Sequence, residues 1–288
     1  MNYRHHYHAG NFADVVKHMV LLALVEGMQR KEKGFFLLDT HAGRGAYNLA
    51  EADRGDTLAR QPEWPDGIGR LQAASDRPEL VERYLRVVQQ FAEAESARAM
   101  DGISYPGSPC LVAPRLREQD RATWCELQPG EFDLLRDAVV CRRGWRVEER
   151  DGYEAIRGCL PAVERRALVI IDPPYEAENE SDLVWAALRE GLRRAPAATF
   201  AIWYPITARV GETVFVRDAK AAGLPPTWTV ELTVGGTDAE IKMRGAGLMV
   251  VNPPWQLDQE LQPTMQWLGC HLAQLRGGEG SLRWLVPE

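Results

Sequence analysis

Apolar positions along this chain repeat in two rhythms. Val15, Val16, Met19, Val20, Leu22 and Ala23 form a broad helical stripe suited to docking on a sheet. Asn11 can cap that helix, Asp14 sits in its first turn, and the stripe runs to about Lys33, where Gly34 stops it. The second rhythm is a series of short, nearly continuous apolar runs rich in branched and aromatic residues, which read as strands. Residues 35–39 are the first, followed by the loop Thr40-His41-Ala42-Gly43-Arg44-Gly45. Beyond residue 104, runs at 123–126, 145–149, 168–172, 199–204, 227–233, 247–251 and 282–286 alternate with helical patterns at 131–140, 181–194 and 212–222. That alternation predicts an α/β fold with a doubly wound, mostly parallel sheet.

One stretch breaks the alternation. Residues 52–104 are polar and rich in Arg, Glu and Ala, with Trp64-Pro65 and one long helical pattern at 80–100. Tyr105-Pro106-Gly107-Ser108-Pro109 closes the stretch with turn chemistry. The expected organisation is an α/β domain of residues 1–51 and 105–288, carrying an N-terminal arm and helix, with a small helical insertion at 52–104.

Composition narrows the class without naming a task. Over 288 residues, 45% hydrophobic and 26% charged is ordinary for a globular chain with a large core. No apolar stretch approaches the ~20 residues that span a bilayer, and the start Met1-Asn2-Tyr3-Arg4-His5-His6 lacks the apolar core of a secretory signal. A cytoplasmic protein is expected. Cys110, Cys125, Cys141, Cys159 and Cys270 include no Cys-x-x-Cys pair, so structural thiols and no metal site are expected. A net charge of −7 argues against non-specific coating of nucleic acid, and leaves room for a local basic patch that docks one nucleotide.

The candidate chemistry sits at strand ends. Ala167-Leu168-Val169-Ile170-Ile171 reads as a strand buried on both faces, and Asp172-Pro173-Pro174-Tyr175 follows it. Prolines cannot donate to a ladder, so the strand stops there and Asp172 is left at its carboxyl end, where open α/β sheets place ligands. An acid, rigid carbonyls and an aromatic ring suit the holding of a nucleobase amino group. Asp172 and the Pro173 carbonyl can accept its two N–H bonds while Tyr175 stacks on the ring.

Three more strand ends carry signals in the order of an S-adenosylmethionine site. Asp39 with Gly43 and Gly45 lets backbone approach the methionine part of that cofactor. Glu126 can accept ribose hydroxyls. Asp151 of the Asp151-Gly152 pair can take the adenine amino group. Asn252-Pro253-Pro254-Trp255 offers a second tetrapeptide of similar chemistry, but it comes later, towards the sheet edge, and reads as a strand stop with a packed tryptophan. The arm Tyr3-Arg4-His5-His6-Tyr7-His8 reads either as a solvated extension or as a stacking and phosphate-contacting element near the cleft.

Tyr3-Arg4-His5, His8-Ala9-Gly10-Asn11, Ala13-Asp14-Val15, Lys17-His18, Leu38-Asp39-Thr40-His41-Ala42-Gly43, Tyr105-Pro106-Gly107-Ser108-Pro109, Ile171-Asp172-Pro173-Pro174-Tyr175, Trp203-Tyr204-Pro205 and Asn252-Pro253-Pro254-Trp255 resemble the bacterial 23S ribosomal RNA adenine-N6 methyltransferase family RlmJ. The resemblance runs nearly end to end, to the closing Trp284-Leu285-Val286-Pro287-Glu288. It implies a Rossmann-like class I S-adenosylmethionine-dependent methyltransferase with a helical insertion. It implies cofactor contacts at Lys17, His18, His41, Ser108, Glu126, Asp151, Gly152 and Asp172, a proton-accepting role for Asp172, and an RNA contact at Tyr3. Arg4 is the expected phosphate contact beside it, and Pro173 and Tyr175 the expected contacts to the target base. The implied partner is 23S ribosomal RNA, protein-free or in an early assembly particle, and the expected state is a monomer. His41 stands where such loops often carry glycine, so it either turns outward or touches the cofactor. Two other readings stay open: a DNA adenine-N6 methyltransferase, which shares the tetrapeptide, and a non-catalytic RNA-binding assembly factor that keeps the fold.

Overall fold

The computed structural model describes residues 7–50, 61–96, 103–207, 218–219, 221–236 and 243–288. Its centre is an eight-stranded sheet in the order β5-β4-β1-β6-β7-β9-β8-β10. The strands are β1 (Phe36–Asp39), β4 (Arg121–Glu126), β5 (Trp145–Glu149), β6 (Ala167–Ile171), β7 (Thr199–Thr207), β8 (Thr227–Thr233), β9 (Met243–Val251) and β10 (Glu279–Val286). Pairings from β5 through β7 are parallel. β9 runs against both β7 and β8, so β8 points the same way as the parallel group, and β10 runs against β8. From β1 the chain builds outward through β4 and β5, then returns to β6 on the other side of β1. The order therefore reverses between β1 and β6, the switch point where such sheets open a ligand crevice. This is the doubly wound α/β fold expected from the alternation.

β6 shows why its sequence is apolar throughout. Leu168 and Ile170 enter one core, and Ala167, Val169 and Ile171 enter the other, on the opposite face of the sheet. A strand sandwiched in this way has no side to leave polar. One face is covered by α6 (Gly152–Cys159) and α7 (Glu180–Arg194). The other is covered by α1 (Phe12–Gln29) and α8 (Leu257–Leu272).

α1 is buried on nearly all sides rather than along one stripe. The sheet takes one side, and α3 (Glu79–Ser96) packs on the other through Leu80, Val81, Tyr84, Leu85 and Val88, in the same core. The Asn11 Oδ1 caps α1 by accepting from the amides of Ala13 and Asp14 at 2.9 and 3.0 Å. The helix ends at Gln29, short of Lys33. Arginines from elsewhere take its last carbonyls: Arg166 donates to Met28 O at 2.6 Å, and Arg117 to Gln29 O at 3.2 Å and Lys31 O at 3.0 Å. Lys31, Glu32 and Lys33 are exposed and add nothing to bury.

The region expected as an insertion begins, among the described residues, with a short turn at Trp64–Asp66 and the helix α2 (Ile68–Ala73). It is stitched to the chain start. The Ile68 amide donates to Gly10 O at 2.8 Å and the Glu63 amide to Tyr7 O at 3.1 Å. Asn11 Nδ2 donates to Glu63 at 2.8 Å, and His8 lies 2.9 Å from the same carboxylate. The arm is thus packed, not solvated, from Tyr7 onward. The flanks of the region pair as an antiparallel ribbon, β2 (Ala46–Asn48) with β3 (Ser104–Pro106). After β3 comes the helix α4 (Ser108–Val112), where turn chemistry alone was expected. The remaining helix, α5 (Pro129–Ala138), matches its pattern within a turn. Most of the helix expected at 212–222 lies outside the described residues. Among the described residues no helix is long and apolar enough to cross a membrane.

Antiparallel β9 also gives the second tetrapeptide a structural place. β9 lies inside the sheet, not at its edge, and its carboxyl end is opposite to that of β6. Asn252 there adopts φ 51° and donates through Nδ2 to Pro196 O at 2.8 Å and Ala198 O at 3.0 Å. Trp255 is not packed but 65% exposed. Asn252 is therefore a structural tie that holds the start of β7. Replacing Asn252 with Ala removes both bonds and leaves a Cβ-bearing residue without a local partner at positive φ. A loss of about 1–3 kcal/mol in urea unfolding is expected; a change within about 0.5 kcal/mol would show that the tie contributes little.

Candidate active site

Several of the candidate side chains converge at the switch point. Asp39 ends β1 and pairs in register with Ile170, so Asp172 follows one strand over. Lys17 comes from α1 and lies between two acids: its Nζ is 2.8 Å from Asp172 Oδ2 and 2.9 Å from Asp14 Oδ1. Asp14 Oδ2 in turn accepts from the Gly10 amide at 3.1 Å. Burial works against the Lys17 charge, but the charges of Asp14 and Asp172 and their hydrogen bonds outweigh it and hold the ammonium well above its ordinary range. Lys17 is therefore a fixed cation that draws α1 onto the strand end.

Among the described residues Asp39 makes no ion pair. Its Oδ2 accepts from Ser108 Oγ at 2.8 Å and its Oδ1 from the His41 amide at 3.3 Å. Burial, opposed by the Ser108 hydrogen bond and helped by the Asp172 charge, leaves its carboxyl raised to about 7. Ser108 reaches this position because Gly107 sets it at the start of α4.

His41 turns inward. Thr40 Oγ1 gives its single proton to Ile170 O at 2.9 Å, so in the 2.8 Å contact with His41 the ring Nδ1 is the donor. Nε2 then carries the lone pair. Burial holds the imidazole below its usual value, which keeps the ring neutral. Its edge meets the Tyr153 ring at 5.0 Å.

The loop between β1 and β2 is shaped by its glycines. Gly43 has φ 63°, and a Cβ there would come within 2.9 Å of the Tyr47 hydroxyl. The Gly43 amide donates to Glu126 Oε2 at 2.9 Å, and the Gln128 amide to Oε1 at 2.8 Å. Burial nonetheless pushes the Glu126 carboxyl up. Asp151 caps α6: its Oδ1 accepts from the amides of Tyr153 and Glu154 at 2.8 and 3.1 Å. The acid expected to read an amino group is thus also a helix cap, with Oδ2 outside those bonds. Gly152 is required by close approach, since a Cβ there would lie 2.0 Å from Thr40 O.

Beyond Asp172, Pro173 is buried and Tyr175 adopts φ 51°. The Tyr175 hydroxyl donates to Trp203 O at 2.9 Å, which fixes the ring against the middle of β7. The structure therefore brings together Lys17, Asp39, His41, Ser108 and Asp172, with Glu126 joined through Gly43 and Asp151-Gly152 through Thr40. Tyr3 and Arg4 lie outside the described residues. Sequence reasoning missed Asp14 as the second partner of Lys17, the tautomer-setting Thr40, and Tyr153, whose hydroxyl donates to Glu180 Oε1 at 2.6 Å. The i,i+3 spacing of Asp14 and Lys17 was the one available signal.

The arrangement fits S-adenosylmethionine. Asp14, Asp39 and Asp172 surround a single ammonium, so the crevice favours a further cation such as a sulfonium. Gly43 and Gly152 leave backbone open beside it, and Glu126 keeps lone pairs for ribose hydroxyls after its two amide bonds.

The family described as Ribosomal RNA large subunit methyltransferase D, RlmJ, matches residues 32–286. Two proteins described as Ribosomal RNA large subunit methyltransferase J, from Escherichia coli strain K12 and Haemophilus influenzae strain Rd, are each 36% identical over 288 residues, spanning 100% of this chain and of theirs. These alignments include α1, with Lys17 and His18. The crystal structure of protein LPL1258 from Legionella pneumophila aligns with a TM-score of 0.81 at 29% identity, covering 96% of this chain and 97% of that one. Matches of this extent, over a switch point built as described, place the chain in the RlmJ family of ribosomal RNA large subunit methyltransferases.

Proposed function

We propose that the chain transfers a methyl group from S-adenosylmethionine to the N6 amine of an adenine in 23S ribosomal RNA. The observation that carries this reading is Asp172: an acid at the end of a strand buried on both faces, tied to Lys17 and followed by a rigid Pro173 and an anchored Tyr175. When bound, S-adenosylmethionine supplies an electrophilic methyl group on a sulfonium. Lys17, His18, His41, Ser108, Glu126, Asp151, Gly152 and Asp172 hold it in this reading, with Tyr3 and Arg4 reaching the RNA. Residues 52–104 act as a helical insertion on a methyltransferase domain of 1–51 and 105–288. The protein works as a monomer in the cytoplasm, on protein-free RNA or an early assembly particle.

The residues then act as follows. Adenine N6 is a poor nucleophile because its lone pair is delocalised into the ring. The base leaves its stack to enter the crevice. Lys17 holds Oδ2 of Asp172, and Oδ1 accepts one N6–H while the Pro173 carbonyl accepts the other. Those bonds draw the lone pair out of conjugation, and the Tyr175 ring fixes the plane of the base. Positioning of this kind supplies much of the rate. Asp172 takes up a proton only after the amine has gained positive charge, so it need not be a strong base beforehand.

The experiment that tests this reading offers radiolabelled S-adenosylmethionine with protein-free 23S ribosomal RNA, assembled large subunits, and duplex DNA, followed by nucleoside mass spectrometry. Label in N6-methyladenosine of RNA is expected. Equal labelling of duplex DNA moves the assignment to a DNA methyltransferase, and no labelling of any substrate leaves an RNA-binding factor.

Asp172→Ala removes the acceptor for N6 and one of two partners of a buried ammonium. Loss of more than about tenfold in kcat is expected, with some loss of stability. Asn252→Ala keeps most activity; if it is the inactive variant, the wrong tetrapeptide has been chosen.

Asp39 predicts a pH dependence. Its folded value of about 7 lies above its unfolded value of ~3.9, so its favourable contribution is complete below about pH 4 and is lost as pH rises through about 7. Asp39→Asn lacks this loss and keeps an acceptor for Ser108. The stability of the variant relative to wild type, from urea unfolding without cofactor, should rise by roughly 2–3 kcal/mol between about pH 5 and pH 8. A constant difference across that range counts against a raised Asp39.

A further inference from the structure

His18, Tyr105 and Tyr84 form a buried hydrogen-bond chain across three parts of the fold: α1, the ribbon strand β3 and the helix α3. His18 Nδ1 lies 2.9 Å from the Tyr105 hydroxyl, which lies 2.6 Å from that of Tyr84. The His18 and Tyr105 rings stack at 5.5 Å with 29° between their planes. His18 is 1% exposed, and both tyrosines 0%. Burial pushes both phenols above their ordinary range, so both keep their protons.

The number of protons fixes the direction of the chain. Among the described residues the Tyr84 hydroxyl has no hydrogen-bond partner other than Tyr105. Its proton is satisfied only by pointing there. The Tyr105 proton then goes to His18 Nδ1, which must be a lone pair. Run the other way, His18 Nδ1–H would donate to Tyr105 and Tyr105 to Tyr84, leaving the Tyr84 proton buried without an acceptor, a state folded proteins avoid.

We propose that Tyr84 and Tyr105 are positioning residues for His18. They hold it as the neutral tautomer with the proton on Nε2, a hydrogen-bond donor to an acceptor atom on the methionine part of S-adenosylmethionine, its carboxylate. The inference rests on the reading of His18 as a cofactor contact. Lys17, its neighbour, already touches Asp172, beside which that part of the cofactor would lie. The arrangement is the mirror of His41, where Thr40 makes Nδ1 the donor. It also gives α3 a task beyond covering α1: its Tyr84 hydroxyl polarises Tyr105 and strengthens the bond to His18.

Two measurements test the proposal together. The first is nitrogen NMR of histidine-labelled, ligand-free protein, with the His18 signals identified by their loss in His18→Gln. Wild type should show His18 as the Nε2–H tautomer, and Tyr105→Phe should show exchange between tautomers. The second is calorimetry with S-adenosylmethionine. Tyr105→Phe should weaken binding roughly tenfold and Tyr84→Phe roughly two- to fivefold, while Tyr105→Phe added to His18→Gln should cost nothing further. An Nδ1–H tautomer in wild type overturns the direction of the chain. Wild-type affinity in Tyr105→Phe, where His18→Gln has lost affinity, overturns the positioning role alone. Wild-type affinity in His18→Gln overturns the cofactor contact and the inference with it, and is told apart because the tautomer of the free protein does not depend on it. Should Tyr105→Phe not fold, Tyr84→Phe decides: wild-type affinity with an unchanged His18 spectrum overturns the proposal.

Discussion

The buried Lys17 ammonium is the interaction on which the site depends. Its side chain is 9% exposed, and those of Asp14 and Asp172 are 5% and 16% exposed. Taking such charges out of water is costly, and a buried pair is weak evidence for net stability. What it supplies is geometry. Removing one member strands a charge, at roughly 3–5 kcal/mol, so α1 and the end of β6 are held to one relative position. Asp14 is itself fixed by the Gly10 amide, and Gly10 O accepts from Ile68. The catalytic candidate is thereby linked, through one lysine, to the chain start and to the first helix after residue 60.

That linkage accounts for the character of α1. A helix carrying Asp14, Lys17 and His18 among Val15, Val16, Met19 and Val20 could not lie on an open surface without exposing its apolar positions. Nor could it be buried without partners for its polar ones. Packing of α3 and the 61–68 segment resolves both demands. The apolar face gets a second layer, and His18 gets Tyr105 and, through it, Tyr84. The 61–96 region in this sense completes the burial of α1.

The sequence made the centre of the fold legible and its margins much less so. β5 was read at its observed limits, and β6 and Asp172 were plain because five apolar residues end at two prolines, a local signal with few other meanings. The β2–β3 ribbon was invisible, since three-residue strands leave no periodicity to detect. α8 was hidden by Pro263 inside it, a residue that argues against a helix unless tertiary packing overrides it. Asp39, Glu126, Asp151 and Asp172 were legible as acids at strand ends, where such sheets open a crevice. Their pairing was not, because Lys17 meets Asp172 across a sequence separation of 155 residues. The tautomers of His18 and His41 were further out of reach, being set by hydroxyls on other elements.

Charge balance explains why the site is poised for a cation. Lys17 makes its ion pairs with Asp14 and Asp172, and burial, with the Asp172 charge beside it, raises the Asp39 carboxyl to about 7 against the pull of the Ser108 hydrogen bond and the Lys17 charge. In the proposed reading a sulfonium entering beside Asp39 and Asp172 supplies a further positive charge. It favours the ionised form of Asp39, so binding and proton release are coupled near neutral pH. The neutral cofactor product lacks that charge and lets Asp39 regain its proton. The same buried acid that makes the crevice receptive to the methyl donor thus gives it less hold on what remains after transfer.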